Sequence, residues 1–303
     1  MARPVLEVEF GDRPSAAAYM LRALVPSPGL GRAGGFPQVR ARWGGHRIDR
    51  RRLADLLRLT DLPAADRLPL LYPHVVGFPL AMAILTLPAW PLPIWRSLAV
   101  RTHLLQHRPI PLDAVLDLET RTAGQRILDR GAEVDLHTAV RREGELCWES
   151  LVTFYYRGRL GAPGPPSPLA RAPEVIGAET AAWRADAGGG WRFGGLNGDY
   201  NPLHWGSWYA RRLGFRGAFH HPPLALGQCL ARLPGPDPGA AQRLDAWLRG
   251  PVYHGSQLRL SSAAEPDGGG VAFALRVDEE PRPALLGRLR AAPPGLRLVG
   301  DPP

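Results

Sequence analysis

The longest apolar stretch of the chain covers residues 68–95 and contains no Asp, Glu or Arg. Its length would suit a membrane span, because a bilayer core of about 30 Å needs roughly 20 apolar residues. Six prolines interrupt the stretch, and each would leave a broken helix hydrogen bond that lipid cannot replace. Residues 80–87 form the clean helical piece. The pattern therefore predicts a buried helix within a globular core.

Strand-like segments follow this stretch in the first half of the chain. The helical piece is taken as residues 79–87, and Gly144 fits a tight turn further along. The first half is predicted to be one helix followed by an antiparallel meander. The predicted strands are residues 98–107, 115–122, 132–141 and 147–157.

The second half repeats this order after a segment rich in proline and glycine. Residues 161–173, GAPGPPSPLARAP, lack apolar periodicity and are typical of a connection between domains. We predict an N-terminal domain at residues 1–160 and a C-terminal domain at residues 174–303. A helix packed on an antiparallel sheet is an α+β arrangement, and two copies side by side can extend one another's sheet. The second half is predicted to have a helix at 222–233 and strands at 252–263, 271–277 and 285–290.

Composition is that of an ordinary globular protein, with 45% hydrophobic and 21% charged residues among 303. Every basic residue except histidine is arginine, which excludes lysine-dependent phosphate loops and Schiff-base chemistry. The net charge of +9 would permit a polyanionic partner, but the arginines are scattered as on a solvated surface, so we expect no nucleic-acid binding. Cys147 and Cys229 indicate neither a disulfide framework nor a zinc site. Because the N-terminus lacks a signal-peptide pattern, we expect a cytoplasmic protein.

The segment Asn-Gly-Asp-Tyr-Asn-Pro-Leu-His at residues 197–204 has the features of a helix start. Asn201 suits the N-cap and Pro202 the first helical position. Gly214 supplies a stop signal, so a helix is predicted from Pro202 to about Leu213.

Asp199 and His204 are the candidate catalytic residues of this segment. One lies in the loop before the predicted helix and the other in its first turn, so a bend can aim both side chains into one pocket. The positive helix end disfavours an imidazolium, which keeps His204 neutral and suits it to act as a general base. Taken singly, Asp199 is also explained as a turn residue, Asn201 as a cap and His204 as an ordinary first-turn histidine.

The same segment resembles the signature of a known family. GDYNPLH at residues 198–204, followed by WYARRLGFR, is similar to the GDxNPxH motif and following helix of MaoC-like, R-specific enoyl-CoA hydratases. AFHHPPLALG at 218–227 stands where that family begins its central helix with an HGM-type sequence, and GPVYHG at 250–255 is similar to the family's strand start. The strong resemblance covers about residues 190–260. It implies a double hotdog fold, with two antiparallel sheets each wrapped around a central helix.

The resemblance also implies the chemistry. Asp199 and His204 would activate one water, which adds across the 2,3 double bond of an acyl thioester; the reverse reaction dehydrates a 3-hydroxyacyl thioester. Asn201 would support the loop or hold the thioester. No metal and no separate cofactor are implied, since coenzyme A, which we favour, or an acyl carrier protein is part of the substrate. We also expect a homodimer.

The first half contains no counterpart of the Asp-x-x-x-x-His segment ahead of Tyr72-Pro73-His74. We infer a degenerate copy, which lends wall area to the acyl tunnel of the other half. Five apolar side chains suit such a wall, although ordinary core packing is the favoured explanation of each one taken singly: Phe78, Met82, Leu85, Trp90 and Trp95.

Pro222 departs from the family pattern. The family assigns the enolate's hydrogen-bond donor to the backbone N–H of the glycine in HGM, and proline at the aligned position has no N–H. His220 and His221 are candidate replacements as imidazole donors, and helix capping with burial explains them equally. The departure leaves open a second function, a non-catalytic subunit that binds acyl thioesters or forms complexes.

Overall fold

The computed structural model of the chain describes residues 4–235, 239–265 and 268–299. Its strands are β1 (Leu6–Phe10), β2 (Val39–Arg47), β3 (Ser97–Gln106), β4 (Val115–Leu128), β5 (Gly131–Arg142), β6 (Glu145–Arg157), β7 (Ala178–Arg184), β8 (Gln242–Leu248), β9 (Gln257–Ala264), β10 (Gly270–Val277) and β11 (Leu285–Ala291). Its α-helices are α1 (Ala16–Arg22), α2 (Leu30–Ala33), α3 (Arg50–Thr60), α4 (Tyr72–Leu85), α5 (Gly189–Asn197), α6 (Ser207–Arg212) and α7 (Pro222–Leu230). Short 3₁₀ turns lie at Ile94–Arg96, Pro168–Ala170 and Pro202–His204.

The eleven strands of the described ranges belong to one sheet, in the order β1-β2-β4-β5-β6-β3-β8-β11-β10-β9-β7. Among these strands, only the β1–β2 pair is parallel. The α+β class is confirmed, and the two sheets expected from the sequence are joined into one. They join because β3 and β8 pair along their edges, which leaves neither half with an open strand at that position.

The two halves of the sheet have the same internal order. In the first half, β2 precedes α4, and the strands lie in the order β2-β4-β5-β6-β3. In the second half, β7 precedes α7, and the strands lie in the order β7-β9-β10-β11-β8. The predicted meander is therefore wrong in one respect: the first strand after each helix, β3 or β8, crosses over to pair with the last strand of its half, so only the other three strands form a meander. Both halves share this frame around one central helix, and the equivalent strands β3 and β8 pair antiparallel.

Buried ionic groups lie at this β3–β8 seam. His103 and Asp245 are direct cross-strand partners, and the His103 Nδ1 lies 2.7 Å from the Asp245 Oδ1. The Arg243 guanidinium reaches the same carboxylate oxygen at 2.9 Å. Asp245 is 3% exposed, so its carboxylate depends on these partners in place of water.

Helix α4 is longer than the predicted piece at residues 79–87. It begins at Tyr72, takes Pro73 in its first turn and continues through Pro79. A first-turn proline is tolerated because its missing N–H would be unpaired in any case. Every residue of α4 except Phe78 is buried, so packing on all sides offsets the hydrogen bond that Pro79 removes. In the described parts of the chain, no helix combines the length and apolarity needed to cross a membrane.

The predicted strands of the first half correspond to β3–β6, and those of the second half to β9–β11, where residues 252–256 lie ahead of β9. The predicted helix at 222–233 ends at Leu230. The sequence pattern did not indicate β1, β2, β7, β8, α1, α2, α3 and α5. Residues 161–173 contain only the 3₁₀ turn, and the Trp247 indole N–H donates to Leu169 O of that segment (2.9 Å).

Candidate active site

The loop between α5 and the next turn is shaped by side chains that accept backbone N–H bonds two residues ahead. Asn197 Oδ1 accepts from Asp199 N–H (2.9 Å), and Asp199 Oδ1 accepts from Asn201 N–H (3.1 Å). Asn201 Oδ1 accepts in turn from Leu203 N–H (3.1 Å). Gly198 has φ of 82°, a left-handed conformation that ends α5. The three bonds fix the direction of the Asp199 side chain.

The helix predicted from Pro202 to Leu213 is two pieces. A 3₁₀ turn at Pro202–His204 stops at Trp205, and α6 starts afresh at Ser207. The break follows from backbone crowding, because the His204 carbonyl packs against α5. A Cβ at Gly190 would lie 1.6 Å from the His204 carbonyl oxygen, so only glycine allows this approach. The short turn aims the His204 ring inward.

Arginines of the first half hold the end of α5. The Arg13 guanidinium donates to Leu196 O (2.6 Å), and the Arg52 guanidinium donates to Gly195 O (3.0 Å). Cations are favourable at the carbonyl end of a helix. The first half therefore positions the loop that carries Asp199, a contribution that sequence spacing did not indicate.

Asp199 and His204 come together as predicted. Asp199 Oδ2 lies 3.6 Å from His204 Nε2. The other ring nitrogen, Nδ1, lies 3.0 Å from Phe219 O, and only a protonated nitrogen can bond a carbonyl. In a neutral ring Nε2 is then unprotonated, so two acceptors face each other across the gap. The pKa of His204 is lowered from 6.5 chiefly by burial, which replaces the helix end as the cause expected from the sequence.

His221 stacks on His204. Their ring centroids are 3.7 Å apart, with an angle of 24° between the planes. His221 Nε2–H donates to Asp199 O (2.8 Å), so Asp199 is held through both its backbone groups. Burial first, and then the neighbouring His204, hold the pKa of His221 well below 6.5. In the neutral ring of His221, Nδ1 is therefore unprotonated.

His220 is fixed in the same way. Its Nε2–H donates to Asp186 O (2.9 Å), and burial lowers its pKa to about 4. The Nδ1 atoms of His220 and His221 are both buried and have no partner among the described residues. In these tautomers the one N–H of each neutral ring already donates to a backbone carbonyl. The arrangement therefore gives no support to an imidazole N–H aimed at a thioester oxygen.

Helix α7 starts with two prolines, Pro222 and Pro223, after His221 as N-cap. The first amide of the helix that carries a hydrogen is Leu224 N–H, which donates to His221 O (3.0 Å). The helix start thus lacks the free N–H groups that usually make such a position attractive to an anion. The departure noted at Pro222 extends to the next residue.

These residues line a cavity of about 320 Å³ shared by both halves of the chain. Predicted wall residues Phe78, Met82, Leu85 and Trp95 are in its lining, together with Asp199, Asn201, His204, His220, His221 and Pro222. Trp90 is the exception. It is buried in the core, where its indole N–H donates to the Tyr156 hydroxyl (3.0 Å), and it does not line this cavity. Asn197 lines the cavity as well and was not singled out from the sequence.

Comparison with known proteins agrees with this geometry. The 3-hydroxyacyl-thioester dehydratase X of Mycobacterium tuberculosis is 27% identical over 222 residues, which cover 73% of this chain and 79% of that protein. The crystal structure of HtdX from the same organism has a TM-score of 0.71 at 25% identity and covers 84% of this chain and 100% of that one. A MaoC-like dehydratase from Phytophthora capsici shares the fold, with a TM-score of 0.70 at 15% identity over 85% of this chain and 95% of that one. No family model matches the chain.

The repeated half-sheets, their two central helices and the shared cavity define a double hotdog protein. With the Gly198–His204 segment at that cavity, the chain is similar to the MaoC-like dehydratases in both its fold and its site.

Proposed function

We propose that the protein catalyses the reversible hydration of 2-enoyl thioesters, and in the other direction the dehydration of 3-hydroxyacyl thioesters. One observation carries the proposal. The Asp199 carboxylate and the unprotonated His204 Nε2 face each other at 3.6 Å inside a largely apolar cavity. The name of the Mycobacterium tuberculosis relative, a 3-hydroxyacyl-thioester dehydratase, supports the same reaction class.

Two facing acceptors are suited to hold a water molecule. A water about 2.8 Å from each would donate one hydrogen to Asp199 and the other to His204. Its lone pairs then point away from both groups, toward a substrate carbon in the cavity. A direct hydrogen bond between the two side chains would need a proton that a neutral His204 with an Nδ1–H lacks.

The proton then has a closed path. As the water oxygen bonds to C3, the π electrons of the double bond move to give an enolate on the thioester oxygen, and His204 Nε2 takes the water proton. The Asp199 carboxylate stabilises the imidazolium that forms, since it acts to raise the pKa of His204. The proton passes to C2 as the thioester carbonyl re-forms, which leaves hydrogen on C2 and hydroxyl on C3.

The substrate is expected to be an acyl chain on coenzyme A. Apolar residues such as Phe78, Met82 and Leu85 line the cavity beyond the polar pair and suit a hydrocarbon chain. Arg249 also lines the cavity and is exposed, so its guanidinium is placed to meet a phosphate outside the acyl site. This arrangement suits the phosphates of coenzyme A.

A non-catalytic acyl-thioester-binding subunit is the second candidate. Pro222 and Pro223 favour it, because they remove two N–H groups from the helix start where the family places its oxyanion donor. Loss of one such donor typically costs a factor of about 10²–10³ in rate.

Loss of enoyl absorbance with crotonyl-CoA and longer 2-enoyl-CoA substrates separates the two candidates. We expect turnover by the wild type and none by Asp199→Asn or His204→Gln, because each change removes one acceptor of the water. Thermal unfolding should be little altered in both variants. Asp129→Asn, which changes an exposed carboxylate in the β4–β5 turn, is the matched control and should remain active. Wild-type turnover in either site variant would remove this pair from the mechanism.

A further inference from the structure

The enolate of the proposed reaction needs a hydrogen-bond donor, and the usual donors are missing from this cavity. The helix start offers prolines, and both neighbouring histidines spend their N–H on backbone carbonyls. We propose that the side-chain amide of Asn197 is the substitute, with Nδ2–H donating to the thioester oxygen. The inference rests on the proposed function and assigns a further catalytic residue to that site.

The orientation of the Asn197 amide is fixed by its neighbour. The Asp199 N–H is a donor, so the atom it meets at 2.9 Å has to be the amide oxygen of Asn197. The amide nitrogen therefore points away from the Asp199 backbone. Among the described residues, the hydrogen bond of the Asn197 side chain is the one that its oxygen accepts from Asp199 N–H. The residue is 2% exposed and lines the cavity, so the Nδ2 hydrogens are available to an acceptor bound there.

The position of Asn197 matches the missing donor. Asp199 is bonded through its N–H to Asn197 and through its C=O to His221, the N-cap residue of α7. Asp199 thus links the Asn197 amide to the residue that precedes Pro222 at the start of α7. Because Asn197 is hydrogen-bonded to Asp199, which also binds the water, a thioester whose C3 lies at the water has its carbonyl close to the Asn197 amide.

Asn201 is the competing amide. Its Oδ1 caps the 3₁₀ turn, and it also lines the cavity. Asn201 is only half-buried, however, so water competes for its nitrogen more than for that of Asn197. A donor preorganised away from water stabilises developing charge more strongly. The assignment to Asn197 is therefore the better supported of the two.

The test uses Asn197→Ser, because the serine hydroxyl can still accept from Asp199 N–H while the amide donor is lost. We expect kcat to fall by about 10²–10³, with KM changed far less. Adding Pro222→Gly restores a backbone N–H at the helix start, and the double variant should regain at least about tenfold over Asn197→Ser. A merely structural role for Asn197 would not be rescued by an amide on another element.

Two kinetic results would overturn the proposal. One is a kcat for Asn197→Ser within threefold of the wild type. The other is rescue by Pro222→Gly of Asn201→Ser and not of Asn197→Ser, which would move the donor to Asn201. Thermal unfolding and butyryl-CoA affinity of each variant identify any loss of folding.

A spectroscopic measurement keeps the question separate from turnover. The infrared band of ¹³C-labelled butyryl-CoA carbonyl should move to lower frequency on binding to the wild type, because a hydrogen bond weakens the C=O bond. That shift should be absent with Asn197→Ser and return in the double variant. If the wild type shows no hydration but the shift is present and depends on Asn197, the proposed reaction fails and the donor assignment stands. If butyryl-CoA binds with an unshifted band, the assignment fails.

Discussion

Two stacked imidazole rings, those of His204 and His221, set the charge state of the cavity. With centroids 3.7 Å apart in a buried site, a positive charge on one ring disfavours a charge on the other. Burial acts in the same direction on both pKa values. Both rings are consequently neutral at neutral pH, and the one beside Asp199 is free to take a proton.

The pH dependence of activity follows from that neutrality. His204 acts as a base only when unprotonated, and its pKa is lowered from 6.5. Activity should therefore stay level as pH falls toward 6.5, and the acid limb of kcat/KM should lie below that value. Initial rates from pH 8 to 5 at constant ionic strength measure it. An acid limb centred at or above pH 6.5 would mean that another group is the base.

Local sequence was sufficient to predict part of this site. Asp199 and Asn201 could be found because their side chains are held by hydrogen bonds to backbone groups two residues away, and His204 because it lies in the same short segment. The tautomers of His220 and His221 depend on carbonyls 34 and 22 residues away, which spacing does not reveal. From the sequence, Asn197 stands out only as a second amide side chain near Asp199. Its proposed role depends on the backbone N–H groups that Pro222 and Pro223 remove from the start of α7.

At the level of strands, the β3–β8 seam concentrates buried charge. Asp245 is 3% exposed and lies between His103 and Arg243. Charged groups lose their hydration on burial, so Asp245 is compatible with a stable fold because it is paired. Removing one partner leaves the others buried without compensation.

Asp245→Ala is expected to lower the free energy of unfolding by about 3–5 kcal/mol, the usual cost of breaking a buried ion pair from one side. Chemical denaturation gives the value. Glu279→Ala is the matched control, because its pair with Arg259 is largely exposed, at 85% and 41% of the side chains, and should contribute less than about 1 kcal/mol. Equal effects of the two changes would show that the seam pairs do not stabilise the sheet.

Periodicity predicted the long strands β3–β6 but neither the pairing of β3 with β6 nor the elements that depend on tertiary contacts. Strands β3–β6 are apolar enough to stand out, whereas β8 carries Arg243 and Asp245 in a central position and reads as polar. The helix predicted at residues 79–87 starts later than α4 does, because prolines such as Pro73 and Pro79 usually indicate a break in a helix. In the folded chain one proline occupies the first turn and the other is offset by packing.

Across the whole molecule, buried neutral histidines make stability sensitive to acid. Burial lowers the pKa values of His46, His74 and His220 from 6.5 to about 4. The unfolded chain takes up these protons below pH 6.5 and the folded chain does not, so the stabilisation is complete above 6.5 and is lost as pH falls toward 4. Each histidine accounts for about 3 kcal/mol over that range.

Urea unfolding between pH 8 and 4.5 tests this expectation. The free energy of unfolding should be level above pH 6.5 and fall steadily below it. The pKa of Glu149 is lowered to about 2, so its contribution to the free energy of unfolding is lost only below pH 4.5. The decline between pH 6.5 and 4.5 is therefore assigned to the histidines. His46→Gln should make the decline shallower. A flat profile from pH 6.5 to 5 would contradict the argument.

The pairing of β3 with β8 also determines when the sheet can be completed during synthesis of the chain. The residues that pair there, His103 and Asp245, are 142 positions apart. During synthesis the first half emerges with β3 as an open edge strand. That edge stays uncovered until most of the second half, including β8, has been translated. Open edges invite pairing with other chains. β3 carries polar side chains, His103 among them, and these make its exposed edge unfavourable for pairing with a strand of another chain. The groups that join the two halves in the folded protein therefore also protect the partly synthesised chain from aggregation.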